Sequence, residues 1–235
     1  EAVVEAARLY GNFSRAPAVR CYMVESLVLD AFVLLLDHGS AEVLYSVCGT
    51  LINFLMDASK KPALVAQGGV GRMVDVLGRM ASSVLAAEAA AAEAAEAEAE
   101  AAGSSGGAAA GEEGGEAGPS GAGAALPLGA SDMEVAVLDV VCKALFNICV
   151  DDNAAASSAG APPGGGGEGE GFVSSFSGEE VEEALAILDH LEASELLAEH
   201  EGLAAVVSRL SAQLARLHGR LASSELETLP PHDEE

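Results

Sequence analysis

An all-α solenoid, a stack of short repeated helices, is the fold class this sequence predicts, and three observations predict it. The first is one helical word that recurs around an asparagine: Ala7-Arg8-Leu9-Tyr10-Gly11-Asn12-Phe13, Cys48-Gly49-Thr50-Leu51-Ile52-Asn53-Phe54 and Cys142-Lys143-Ala144-Leu145-Phe146-Asn147-Ile148. A small residue stands five before the asparagine, an aromatic or leucine two before, and a bulky apolar residue just after. The second is the spacing: the interval from Asn12 to Asn53 is the length of one helical unit of an α-solenoid. The third is that the interval from Asn53 to Asn147 is more than twice as long. Its surplus is visible as a foreign Ala/Glu/Gly-rich tract.

The elements follow in order. Apolar and small residues at Val3, Ala6, Ala7, Tyr10 and Phe13 form a helical stripe over 2–14, with the first asparagine near its end. Pro17 opens a second helix over 18–25, and a third runs over 28–37 to a glycine stop at His38-Gly39-Ser40. The helix over 41–57 is apolar on all sides, the mark of an element buried between neighbours. The cycle then restarts with a short helix over 60–66, a turn at Gln67-Gly68-Gly69 and a helix over 70–80. Gly68-Gly69-Val70 sets against Ser26-Leu27-Val28, Gly68 opposite Ser26, so the short, medium and long helices recur in the same order.

The repeat region is thus 1–85. Residues 86–130 are an insert, helix-forming in its first part and then Gly/Ser-rich and disordered. A capping box at Ser131 and Glu134 restarts the helix, and 131–150 supplies the long helix that closes the interrupted repeat. A flexible Gly-rich linker follows over 151–178, then an acidic helical C-terminal cap over 179–220 and a disordered tail over 221–235. A cap with a polar outer face suits the last unit of a stack, which must meet water. Residue 1 stands inside a long third helix, so the two helices that complete its repeat are expected upstream.

The formal charge of −26 is uneven. Residues 1–85 carry 7 basic and 8 acidic side chains, whereas 86–131 carry 8 acidic and no basic ones, and 179–235 carry 14 against 3. No basic stripe is present for a phosphate backbone, which argues against nucleic acid as a partner. The longest apolar run, Leu27 to Leu36, is too short to span a membrane and contains Asp30. Cys21, Cys48, Cys142 and Cys149 form no CxxC pair and read as buried reduced thiols in a cytoplasmic protein. The five histidines lack ligand spacing, so no metal or other cofactor is expected. No phosphate loop, HExxH or GxSxG motif occurs, and the abundant carboxylates belong to solvated faces, so neither an enzyme nor a small-molecule substrate is expected.

The helix order, the Gly-Gly-Val start of the middle helix and the Leu-x-Asn-apolar ending of the long one resemble armadillo repeats over 1–80 and 131–150. The resemblance implies a right-handed α-solenoid fragment and a non-enzymatic scaffold that binds protein partners along its third helices. The stretches 5–15, 34–39, 47–53 and 67–70, with Leu145-Phe146-Asn147-Ile148-Cys149 before an acidic helical tail, are similar to a branch of that family tied to motile cilia. That likeness implies a role in the assembly or intraflagellar transport of axonemal radial spokes, a ciliary or flagellar location, and spoke components or the transport machinery as partners. The Ala/Gly insert departs from the family pattern; such tracts are common in green algae, whose flagella carry spokes. The alternative is a general armadillo scaffold, cytoskeletal, junctional or ubiquitin-linked, with no ciliary role.

An asparagine amide offers both a donor and an acceptor, so Asn12, Asn53 and Asn147 are expected to form a ladder that pairs with a partner's backbone. The competing role is to bond the neighbouring repeat and hold the stack together. One turn before each asparagine stand Arg8, Gly49 and Lys143. In importin-type relatives a tryptophan at that place clasps lysine stems, and this chain has none, which removes the nuclear-import reading. Arg8 and Lys143 instead make the expected groove locally cationic, suited to an acidic ligand or to the protein's own acidic tail.

Overall fold

Four long helices lie side by side, and their row follows from the repeat. A computed structural model describes residues 1–104, 132–159 and 174–227, and these are helical almost throughout. The helices are α1 (Ala2–Phe13), α2 (Pro17–Glu25), α3 (Val28–Leu35), α4 (Ala41–Leu55), α5 (Lys61–Ala66), α6 (Gly69–Ser104), α7 (Asp132–Ala159), α8 (Gly178–Glu192), α9 (Leu196–Glu199) and α10 (Glu201–Glu227). A 3-10 turn, Ala58–Lys60, precedes α5. The asparagine-bearing helices α1, α4 and α7 pack in sequence, and α10 packs on α7 as α7 packs on α4. Helices α2 and α3 flank this row in one repeat, α5 and α6 in the next, and α8 and α9 beside α10.

The core is contiguous because the repeat places apolar residues at equivalent depths. With Asn53 set against Asn147, Val43, Leu44, Val47, Cys48, Leu51, Phe54 and Leu55 of α4 become Val137, Leu138, Val141, Cys142, Leu145, Ile148 and Cys149 of α7. Every one of these is buried. Such burial of large side chains contributes about 1.5–3 kcal/mol each relative to exposure, so these two helices carry much of the stability. The end helix α10 buries only one stripe, Leu203, Val207, Leu210, Leu214 and Leu217, and shows water a face of Ala205, Ser208, Ala212, Ala215 and Arg216.

The second helices are in register one position away from that expected of the glycine pair: Gly68 stands opposite Leu27 and not Ser26. Leu27 (φ 59°) and Gly68 (φ 70°) are the two left-handed residues among those described. Their alignment matches Leu29 with Val70, Phe32 with Met73 and Leu36 with Leu77, all buried, and it is the same register that sets Asn12 against Asn53. Gly68 adopts this conformation freely, while an L side chain at Leu27 carries about 1–2 kcal/mol of strain. Leu27 is 68% exposed, so its side chain contributes little packing. Leu27→Gly is therefore expected to raise stability by up to about 1 kcal/mol, read as a higher urea midpoint with unchanged m-value.

Two expected boundaries move. Helix α6 continues unbroken to Ser104, so the helix-forming first part of the insert extends the middle helix of its repeat. Glu88 Oε1 ties this extension to the C-terminal unit by accepting from Glu195 N (2.6 Å) and Leu196 N (3.1 Å). The linker expected from 151 is corrected over 151–159, which continue α7, because Asp152 and Asn153 are buried and bonded rather than solvated. The tail expected from 221 is likewise corrected over 221–227, which continue α10. The disordered reading of 105–130, the flexible-linker reading of 160–173, the tail beyond 227 and the Ser131 half of the capping box lie outside the described residues. Glu134 accepts from Ser83 Oγ of α6 at 2.7 Å. A full capping box is present at α8, where Ser177 Oγ accepts from Glu180 N (3.2 Å) and Glu180 Oε2 accepts from Ser177 N (2.7 Å).

Candidate functional site: the outer face of the third helices

The sequence positions that predict a groove come together on the row of long helices, but they do not share one role. Asn53 Nδ2 donates to Gly11 O of α1 at 2.9 Å. Beside it Thr50 Oγ1, fully buried, donates to Ala7 O (3.2 Å) and Ser46 O (2.8 Å). A Cβ on Gly11 would lie 3.1 Å from Thr50 Oγ1, so the missing side chain lets the two helices approach. The donor half of Asn53 thus holds the stack. Asn12 is exposed and Asn147 half-buried. Asn53→Ala is expected to cost about 1 kcal/mol for the lost bond, whereas Asn147→Ala stays within about 0.5 kcal/mol; thermal melts of the two variants check this.

The expected cationic residues are neutralised on their own helices. Arg8 Nη1 pairs with Glu5 Oε1 at 2.9 Å and Lys143 Nζ with Asp139 Oδ2 at 2.5 Å, the neighbour spacings at which helical side chains meet. Lys143 also borders a cleft of about 430 Å3 between α7 and the start of α10, with Asp132, Asp139, His200 and Leu203. At the equivalent place on α4, a Cβ on Gly49 would have nothing within 4 Å, so the backbone there faces open space. The cation–apolar contact on this side is Arg209 of α10, whose guanidinium lies 4.6 Å from the centroid of the Phe146 ring.

What the asparagine word does not reveal is an apolar strip. Tyr45, Gly49, Ile52 and Met56 follow one another at steps of four, three and four, one face of α4 and its C-cap residue. Tyr45 is 44% exposed and Met56 75% exposed, and Ile52 is half-buried. On α7 the equivalents are Asp139, Lys143, Phe146 and Val150, with Val150 exposed. The signal was present in the sequence as apolar residues all round α4; the surplus beyond the buried face points outward.

A recurring ion pair also escaped the sequence reading. Arg20 and Lys61 occupy equivalent places in the first helices of successive repeats, in the register that matches Asn12 with Asn53. Arg20 Nε is 3.8 Å from Asp57 Oδ2 at the end of α4, and Lys61 Nζ is 2.5 Å from Asp152 Oδ1 near the end of α7. The hydroxyl of Ser59 holds the Asp57 carboxyl below the usual carboxylate range, with Lys60 and Arg20 adding to the effect. Asp152 is buried and also accepts from Ser174 Oγ (3.2 Å), Ser175 N (2.7 Å) and Ser175 Oγ (2.9 Å). It therefore joins the first helix of one repeat to the chain that leads into α8. Asn153 Nδ2 joins α10 by donating to Gln213 Oε1 (2.9 Å) and Gln213 O (3.2 Å).

Burial pushes the thiols of Cys48 and Cys142 up to about 12 and raises that of Cys149 as well, so they stay protonated and serve as packing. Among the described residues no group of three His, Cys, Asp or Glu side chains is placed to hold a metal ion, and no helix is long and apolar enough to cross a membrane.

Comparison with known proteins fits the repeat. Over 77 residues, 33% of this chain, it is 31% identical to armadillo repeat-containing protein 2 of Bos taurus and 32% identical to that of Homo sapiens. The protein of the same name in Mus musculus is 31% identical over 77 residues. These matches support an armadillo-like family. The matched stretch spans 9% of the length of each relative. No family model matches the chain, and no solved structure matches it. Homology to armadillo repeats together with the helical stack supports a protein-binding scaffold, a family that is generally non-enzymatic.

Proposed function

We propose that the chain is a non-enzymatic adaptor in the assembly or intraflagellar transport of axonemal radial spokes, and that it holds its protein partner on the outer face of α4 and α7. The observation that carries the binding face is the strip of exposed Tyr45 and Met56 with half-buried Gly49 and Ile52 between them, beside Lys143, Asn147 and Val150. Apolar side chains aligned on one face suit contact with a partner, and the open space above Gly49 leaves room for a partner's backbone. Asn12, Asn147 and the carbonyl half of Asn53 are the amides left to fix the partner's register. Arg8 and Lys143, each paired with a carboxylate of its own helix, set the polar rim. The right-handed sense of the stack belongs to the same reading.

The spoke and transport assignment rests on the resemblance of 5–15, 34–39, 47–53 and 67–70, and on the similarity to armadillo repeat-containing protein 2. Affinity purification of the tagged protein from ciliated cells tests it. Spoke components or intraflagellar transport proteins among the stoichiometric partners support the assignment, and strong partners of other kinds alone would overturn it. For the face itself, Tyr45→Glu with Met56→Glu is expected to weaken the partner at least tenfold, since an apolar contact is replaced by two buried charges. The melting temperature is expected to change little, because both side chains are exposed in the free chain.

A further inference from the structure

The three basic side chains of 179–235, Arg209, Arg216 and Arg220, stand on one helix in a stretch with 14 acidic ones. With Gln213 they follow one another at steps of four, three and four, one face of α10. That face borders α7. Arg209 lies 4.6 Å from the centroid of the Phe146 ring, Gln213 Oε1 accepts from Asn153 Nδ2 (2.9 Å), and Arg220 Nη1 donates to Asn153 O (2.7 Å). The other flank of α10 meets the carboxylates of α8. There Ser211 Oγ donates to Glu192 Oε1 (2.9 Å), and His218 Nε2 lies 3.3 Å from Glu182 Oε1. Packing therefore sorts the charge of this unit, with anions on the α8 side and cations on the α7 side.

Cations in so acidic a chain readily find a carboxylate. Arg8, Arg20, Lys61, Arg72 and Lys143 each have one within ion-pair distance. Among the described residues Arg209 and Arg216 pair with none, and both are exposed. Phe146 supports one face of the Arg209 guanidinium and leaves its N–H edge toward the surface. A fork held in this way loses less freedom on pairing with a carboxylate than a free side chain does. Arg216 follows two turns later, about 10 Å along the axis.

We propose that this stripe docks an extended acidic segment of a partner protein, at a place separate from the strip on α4. Charge complementarity selects the occupant, and the spacing selects its form. A gap of about 10 Å is too wide for one small anion to bridge. It matches an extended polyproline-II chain, in which side chains three residues apart share a face at about 9 Å. A nucleic acid fits less well, because a phosphate backbone calls for a longer basic stripe and this chain carries a net charge of −26. A few carboxylates still approach, since repulsion between exposed charges is screened beyond about 10 Å. Helix α7 separates the stripe from α4, two interaxial steps of about 8–10 Å each. The proposal rests neither on the α4 strip nor on the spoke assignment.

The test follows the fluorescence anisotropy of a labelled Gly/Ser peptide with Glu at every third position, titrated with the 235-residue chain at low salt. The expected result is saturable binding that weakens as salt is added. The same peptide with Gln in place of Glu is expected to bind about tenfold more weakly or worse. Arg209→Gln with Arg216→Gln is expected to lower the affinity of the Glu peptide by a similar factor, and Arg216→Gln alone severalfold. Tyr45→Ala with Met56→Ala is expected to leave it unchanged, and all the variants to melt with the unmodified chain. No saturable binding, equal affinity for the Glu and Gln peptides, or normal affinity in Arg216→Gln each overturns the proposal. Loss of binding in the α4 double variant overturns it by moving the acidic segment to that strip. Tighter binding of oligothymidylate overturns it in favour of a nucleic acid. A gain of about tenfold on deleting residues 228–235 overturns it in favour of the chain's own acidic residues.

Discussion

Asp152→Ala is expected to lower the stability of the folded chain by about 3–5 kcal/mol, the cost of breaking a buried ion pair by removing one partner. The carboxylate is 3% exposed and faces Lys61 at 2.5 Å. Its loss leaves the Lys61 ammonium with Ile148 O (3.1 Å) as its remaining acceptor, and leaves Ser175 N without one. Replacing both charges with apolar residues, Lys61→Met with Asp152→Leu, is expected to recover part of the loss, because the desolvation cost of the ammonium disappears with it. Urea unfolding measures both variants. A loss under about 1 kcal/mol for Asp152→Ala, the worth of an exposed pair, would show that water reaches the site.

Phe54→Ala and Phe13→Ala test the repeat register with one chemistry at two equivalent positions. Phe54 is fully buried, so its truncation is expected to cost about 3–5 kcal/mol through lost transfer energy and the cavity left behind. Phe13 is 58% exposed, and its truncation in the same chain is expected to stay within about 0.5 kcal/mol. Equal effects would mean that α1 and α4 are equally enclosed, contrary to the packing described. Chemical denaturation with a shared m-value separates the two outcomes.

The parts of this fold that were legible in the sequence are those in which side-chain type fixes depth. The asparagine word located α1, α4 and α7, because apolar residues at helical spacing recur around each asparagine. The slip of one position in the second helices arose at Leu27, whose left-handed backbone carries no compositional sign, whereas a glycine would have shown it. The helix beyond Val150 was hidden because Asp151, Asp152 and Asn153 read as solvated polar residues. The burial of Asp152 and Asn153 depends on Lys61, Ser174, Ser175 and Gln213, all distant in sequence.

The site divides in the same way. The helical word identified Asn53 but not its acceptor, since a bond to Gly11 O depends on how closely two backbones approach. It also placed Arg8 and Lys143 on the outer face without revealing that Glu5 and Asp139 neutralise them, although both spacings could have been read from the chain. The strip of Tyr45, Ile52 and Met56 was concealed by the apolarity of α4 itself. A helix buried on most sides and one that also presents an apolar face to a partner have the same composition, and only packing distinguishes them.

The outer face of α4 as the partner site is tested most directly by isothermal titration of the purified partner against three chains: unmodified, Tyr45→Glu with Met56→Glu, and Arg216→Glu on the face of α10. The account predicts at least a tenfold rise in Kd for the double variant and an unchanged Kd for Arg216→Glu, with all three chains melting together. An unchanged Kd for the double variant would contradict it.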